Sequence, residues 1–314
     1  KGDLEAAINS YQRALKIKPD HAEVCANILS LLSFFEPLKG VSQNSIVKIN
    51  QDIRNIDIPN DPSTIISDVQ IVSLFSKFSN CISSYGSELR TELSQTYRRN
   101  SVDLNCKRHK SIFNQHDIIP EFCFGCYKVQ VEPKSIIDLI KLYFLFDQLE
   151  LNENNTRKCM VELRPEIPGF YKGLIYCSGL RQASQIAEYL NRVMQDHIGS
   201  ELSAKVKRGC SEYSISFPDY KEINNSGPQL MNYTEDWKVI EEDHDRKKPM
   251  NTKENLKPSL SGLNLNDVLI IRKWVDYARG IGDSSAYLIN DGEVQYSEVY
   301  SLAKARLVTY HFAN

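Results

Sequence analysis

"CYKVQVEPKSIIDLIKLYFLF", residues 126 to 146, contains the change of period on which the fold turns. Its opening, Cys126–Glu132, alternates and is rich in β-formers, which predicts a strand. Beyond Pro133, the segment Lys134–Gln148 reads as a helix. The run "SIIDLIKLYFLF" (135–146) is the longest apolar candidate in the chain, and Asp138 and Lys141 interrupt it. It falls short of the roughly 18 residues a membrane span needs. No membrane partner is expected.

Working outward, "RKCMVELR" (157–164) and "YKGLIYC" (171–177) read as two strands joined by a turn through Pro168-Gly169. "LRQASQIAEYLNRVMQDHI" (180–198) is an amphipathic helix ended by Gly199, and "AKVKRGCSEYSISF" (204–217) is a closing strand. The order βαββαβ is that of a ferredoxin-like split βαβ module, so the fold class expected is α+β. Alternation puts Lys128, Gln130 and Glu132 on one side of the first strand. It groups Lys158, Glu162 and Arg164 on the second, and Lys172 and Tyr176 on the third. If those sides coincide, one sheet face is strongly charged. Such a face can be a polar site, with Glu132 and Glu162 as acid/base candidates and Arg164 as an anion clamp. The simpler reading pairs the charges across strands.

Just upstream, "CKRHKSIFNQHDIIPEFCFGC" (106–126) has the pattern C-x2-H-x13-C-x2-C. Zinc takes four thiolate or imidazole donors in a tetrahedron, and two close pairs separated by such a spacer suit it. Cys106, His109, Cys123 and Cys126 are therefore the expected metal ligands, closing a structural zinc site. His116 and Cys210 are spare donors, and Cys210 becomes a neighbour if the closing strand pairs with the strand that begins at Cys126. A redox Cys-x2-Cys is the runner-up, but that chemistry favours a helix N-terminus and here a strand follows. The structural alternative is that the cysteines are small buried hydrophobes. The basic residues at 98–110, with Lys205, Lys207 and Arg208, could meet phosphate or lie in solvated loops.

At the N-terminus, "GDLEAAINSYQRALKIKP" (2–19) repeats Leu4, Ala7, Ile8, Tyr11, Ala14 and Leu15 at helical spacing before Pro19. With Gly2 at a turn and small Ala7 and Ala14 at a close helix contact, it resembles the second helix of a tetratricopeptide repeat (TPR). "DHAEVCANILSLLSFF" (20–35) would start the following helix, with Asp20 as its N-cap. The resemblance covers about 35 residues and implies a protein partner. Because single repeats cannot bury their own faces, the array is expected to extend upstream.

The remaining segments divide the chain into residues 1–39 (TPR-like end), 40–105 (helical connector), 106–218 (knuckle and α+β module), 219–263 (polar connector) and 264–314 (C-terminal helices). In the second segment Ile46, Ile49, Ile53 and Ile56 keep a weak helical spacing. A long helix is expected over 64–100, with Arg98 and Arg99 near its end. In the fourth, "EEDHDRKKP" (241–249) reads as solvated surface. In the last, Asn266 or Asp267 caps a helix to Arg279 whose apolar face is Val268, Ile271, Trp274, Val275 and Ala278. An Asp291-Gly292 turn then leads to a helix over 297–310.

A formal charge of −2 gives no global attraction for nucleic acid. Eight cysteines are too few for a disulfide scaffold, so a reducing, cytoplasmic setting is expected. In "YKGLIYCS" (171–178), Lys172, Gly173 and Tyr176 resemble the third strand of the RNA-recognition motif. Leu174 and Gly179 stand where that family places stacking rings. No GxxxxGK[ST], HExxH or GxSxG signature occurs. The leading expectation is a protein-interaction scaffold with a zinc-stabilised α+β module. An enzyme with a polar or metal site on the central sheet is the alternative, and RNA binding by the sheet is the second alternative.

Overall fold

The computed structural model describes residues 3–38, 44–58, 66–83, 89–99, 104–199, 201–247, 257–289 and 293–313. Helix α1 (Leu4–Ile17) starts where the Asp3 carboxylate accepts from the Ala6 amide, 3.1 Å away. Helix α2 (Ala22–Leu32) has His21, not Asp20, at its N-cap, with no side-chain hydrogen bond there. Ile8 and Leu15 of α1 and Ile28 and Leu32 of α2 are buried, as a repeat-type helix pair requires. Helix α3 (Ser45–Arg54) is capped by Asn44 and buries Ile46, Ile49 and Ile53, so the weak spacing there is a genuine helix face.

The expected helix over 64–100 is two elements. Helix α4 (Asp68–Ser83) is followed by strand β1 (Gln95–Arg98), which contains Arg98. Thr96 and Tyr97 favour extended backbone, and a sheet edge some sixty residues downstream in sequence supplies their hydrogen-bonding partner.

That sheet belongs to the module. After helices α5 (Cys106–His116) and α6 (Glu121–Phe124) come β2 (Tyr127–Val131), α7 (Ile136–Gln148), β3 (Arg157–Val161), β4 (Tyr171–Cys177), α8 (Leu180–His197) and β5 (Ala204–Arg208). The strand order is β1-β3-β4-β2-β5, and every pairing is antiparallel. Elements β2 to β5 therefore form the ferredoxin-like module, and β1 extends its β3 edge. Helices α7 and α8 pack on one face. Gly173 in β4 is needed there, since a Cβ at that position would lie 2.3 Å from Leu142 of α7.

Three expectations change here. Residues 106–122, which read from the sequence as part of a metal-type knuckle, are for the most part helical. The closing strand ends at Arg208, because Gly209 turns the chain with φ +54°. Short helices α9 (Ser211–Ser216) and α10 (Pro218–Lys221) then replace the expected continuation to 217. The polar stretch after them contains α11 (Glu235–Lys247), which is docked rather than solvated on all sides. Arg108 of α5 reaches Glu241 at 2.6 Å and Asp245 at 2.7 Å, and His244 is buried against His116 at 3.1 Å.

Helix α12 (Leu265–Gly280) begins with a capping box in which Asn264 is the N-cap and Asp267 the third residue. The expected cap at Asn266 or Asp267 thus moves two or three residues earlier. Val268, Ile271, Trp274, Val275 and Ala278 are all buried. Arg98 ties β1 to this helix through Asp267 at 2.7 Å, and to the end of α7 through Asp147 at 2.8 Å. Helices α13 (Ala286–Ile289) and α14 (Ser297–Ala313) complete the chain, with α14 packed on α12. The Asp291-Gly292 turn lies outside the described residues. Among the described residues no helix is long and apolar enough to cross a membrane.

Candidate functional site: a cationic cleft with a thiol end

The register of the sheet decides which side chains meet. Lys128 of β2 is opposite Tyr176 of β4 and Lys207 of β5, while Lys158 of β3 is opposite Tyr97 of β1 and Leu174 of β4. The charged sides read from alternation therefore coincide on the face that α7 and α8 leave uncovered. A cleft of about 870 Å³ stands over this face. Its other walls come from the end of α2 (Ser30, Ser33, Phe34), the start of α5 (Cys106, Lys107) and the first turns of α12 (Asn266, Ile270).

Seven lysines and two arginines line the cleft against three carboxylates, Glu162, Glu212 and Asp267. Each carboxylate is already engaged. Asp267 holds Arg98, and Glu212 takes Arg164 and, at 3.5 Å, Lys110. Glu162 is 2.7 Å from Arg164 and 2.9 Å from Lys172 and has no exposed surface. Burial alone would raise its pKa, but the Arg164 hydrogen bond, with Lys172 behind it, brings it down to about 2. Glu162 is thus a fixed counter-ion at neutral pH. Arg164 remains at the cleft wall, whereas Glu132 is exposed, bonded to Gln130 at 2.6 Å, and outside the cleft lining.

Lys128, Lys158 and Lys207 have no carboxylate ion-pair partner among the described residues. Burial pushes the Lys158 amine down to about 8, and the charge of Lys128 adds to the shift; its Nζ lies 5.7 Å from the Tyr97 ring centre. Lys207 is pushed down to about 8 by burial and then by Lys128, and it donates to Ser211 Oγ. Lys128 is only 5% exposed. Its Nζ donates to Cys210 Sγ at 3.3 Å and sits 5.0 Å over the Tyr176 ring. Burial opposes its charge, yet Cys210 first, and then Tyr176, Cys126 and Cys106, hold its pKa well above the usual lysine value.

Beside Lys128 a second, small cavity is bordered by Cys106, His109, Cys123, Cys126 and Cys210 together. Helix α5 puts Cys106 and His109 on one face by their spacing of three. Helix α6 and Gly125 turn Cys123 toward Cys126, and the pairing of β5 with β2 delivers Cys210. His109 is buried and stacks on Phe122 at 5.1 Å. Cys123 donates to the Tyr213 hydroxyl at 3.7 Å, and burial pushes its thiol up. His116 belongs to the α11 contact instead. Among the described residues no group of three or more His, Cys, Asp or Glu side chains is arranged to hold a metal ion.

Two contributors to this face are not evident from local pattern: Tyr97 falls in the stretch that reads as a helix, and Lys207 reads from the sequence as part of a basic cluster. The alternation in "AKVKR" (204–208) was the available signal for Lys207.

Comparison with known proteins adds one finding. Residues 1–28 match the family model for the TPR repeat, in agreement with the helix pair observed there. A TPR repeat at this end of a mixed α+β chain suggests a protein-interaction role for it. No curated protein and no solved structure matches the chain.

Proposed function

We propose that this chain couples a protein-docking TPR end to an α+β module whose cleft binds a small, multiply anionic ligand such as a phosphate ester or pyrophosphate. The observation that carries this reading is the set Lys128, Lys158 and Lys207, gathered on one cleft face where every carboxylate of the wall is already engaged. Clustered amines that are buried, as Lys128 is, or half-buried, as Lys158 and Lys207 are, repel one another and lose hydration. A ligand with two or more negative charges relieves both costs, at about 4 kcal/mol for one contact at 4 Å near a protein surface. The size of the cleft suits a small molecule. An enzyme acting on such a ligand remains within this reading, with Arg164 as a further anion contact and not as an acid or base.

Titration calorimetry with inorganic pyrophosphate at low ionic strength tests it. Saturable binding is expected, weakened roughly tenfold or more, about 1.4 kcal/mol, by Lys158→Met. Absence of heat and of any rise in melting temperature with pyrophosphate, phosphate and citrate would sink the proposal. The zinc expected on Cys106, His109, Cys123 and Cys126 concerns the neighbouring thiol end, and elemental analysis of the purified protein for zinc tests it.

A further inference from the structure

We propose that the ligand of this cleft is a nucleoside diphosphate, its phosphates held by Lys128, Lys158 and Lys207 and its base received at the β1 end by Gln95 and Asn266. The phosphate half rests on the anion-binding reading above. The base half rests on side chains which that reading does not use.

The first observation is one of length. The strand order β1-β3-β4-β2-β5 puts Lys207 on one edge of the sheet and Gln95 and Tyr97 on the other. Four strand spacings separate those edges, roughly 19 Å. Inorganic pyrophosphate covers about one spacing. It fills only the end where Lys128 and Lys207 lie opposite each other. Lys158, on β3, stands further along, beside β1. A second phosphate and a pentose carry a ligand from the first group past Lys158 to the far edge.

That far edge differs in chemistry. The cleft wall there is Leu93, the Tyr97 ring, Phe34 from α2 and Ile270 from α12. Leu93 is 48% exposed, and Phe34 and Tyr97 are half-buried, so apolar surface is left for a flat ring to cover. Of the cations at this end, Arg98 is neutralised by Asp147 and Asp267, and Lys257 lies over the Phe34 ring at 5.2 Å.

Two carboxamides separate a nucleobase from a plain apolar tail. Pairing of Gln95 with Met160 sets Gln95 on the same sheet face as Tyr97 and Lys158. Its side chain makes no hydrogen bond among the described residues. Asn266 is only 6% exposed, and its Oδ1 accepts from Thr91 Oγ1 at 3.2 Å. Its Nδ2 has no partner among the described residues. A largely buried amide donor without an acceptor costs free energy, which a ring nitrogen or carbonyl of the ligand restores. Carboxamides also offer a donor and an acceptor side by side, the pattern with which Asn and Gln pair to a base edge. An alkyl tail would cover the rings and leave both amides unmet.

Titration calorimetry of the full chain at low ionic strength is the test. It compares ADP, GDP, CDP and UDP with inorganic pyrophosphate and dimethylallyl diphosphate. At least one nucleotide is expected to bind about tenfold or more tighter than either comparison compound. Gln95→Leu should remove most of that gain and leave the pyrophosphate affinity unchanged. An unaltered melting temperature of the ligand-free variant shows that its fold is kept. Pyrophosphate binding with no nucleotide any tighter overturns this proposal and leaves the anion-binding reading standing. Dimethylallyl diphosphate binding as tightly as the best nucleotide overturns it in favour of an apolar tail. A nucleotide gain that survives Gln95→Leu in full overturns the base site at β1. No heat from any of these compounds overturns both readings.

Discussion

The backbone amide of Gly209 donates to the carbonyl of Cys126 at 2.7 Å, and this bond brings the end of β5 beside the start of β2. Cys210 follows directly, so its approach to Lys128 depends on the turn at Gly209. The turn has φ +54°, and a Cβ there would lie 2.0 Å from the Tyr220 hydroxyl, which itself donates to the Cys123 carbonyl at 2.6 Å.

Gly209→Ala is accordingly expected to destabilise the protein by about 1–3 kcal/mol, from backbone strain and displacement of the Tyr220 ring. The midpoint of urea unfolding reads this, with an unchanged slope showing that the unfolded state is the same. An alanine variant as stable as the wild type would contradict the turn geometry.

Glu162→Gln removes the shared counter-ion of Arg164 and Lys172. The expected loss is about 3 kcal/mol, the lower end for breaking a buried pair, because Arg164 is 35% exposed and water screens its share. The folded-state pKa of Glu162, about 2, lies below its ordinary 4.5. Its stabilisation is therefore complete above about 4.5 and is lost as pH falls from there through about 2. Melting temperatures measured across that range should fall with acid in the wild type, and less steeply in Glu162→Gln.

Lys158 and Lys207 give the opposite limb. Their folded-state values of about 8 lie below the ordinary 10.5, so between those values the unfolded chain holds more protons than the folded one. Stability of the ligand-free protein should rise with pH across that window and decline as pH falls through about 8. Lys158→Met should flatten the rise and raise the melting temperature at neutral pH while weakening pyrophosphate. Pyrophosphate binding near pH 9 should take up protons, which calorimetry in buffers of different ionisation enthalpy detects. Binding without proton uptake would exclude these two amines from the contact.

Local pattern carried much of this architecture. The alternation in "YKGLIYC" and the apolar run of α7 are properties of single segments, and they suffice to order the βαββαβ module. The common side of Lys128, Lys158 and Lys172 followed from alternation once the strands paired. What escaped was set by distant partners. Residues 95–98 are extended because β3 pairs with them. In α11, Glu241 is buried because Arg108 meets it. The spacing of Cys106 and His109 suits a helical turn as well as a loop knuckle, so the pattern alone did not distinguish α5. The cationic cluster itself needs the strand order, since Lys158 and Lys207 lie on strands separated by β4 and β2.

Ser30, Ser33 and Phe34, at the end of the second repeat helix, are part of the cleft wall. A docked protein that prefers one posture of that helix would thereby alter the chamber next to it. Thermodynamic reciprocity then requires the occupant of the chamber to adjust the hold on the visitor by the same factor. The repeat end and the sheet would in that case be two handles on one equilibrium.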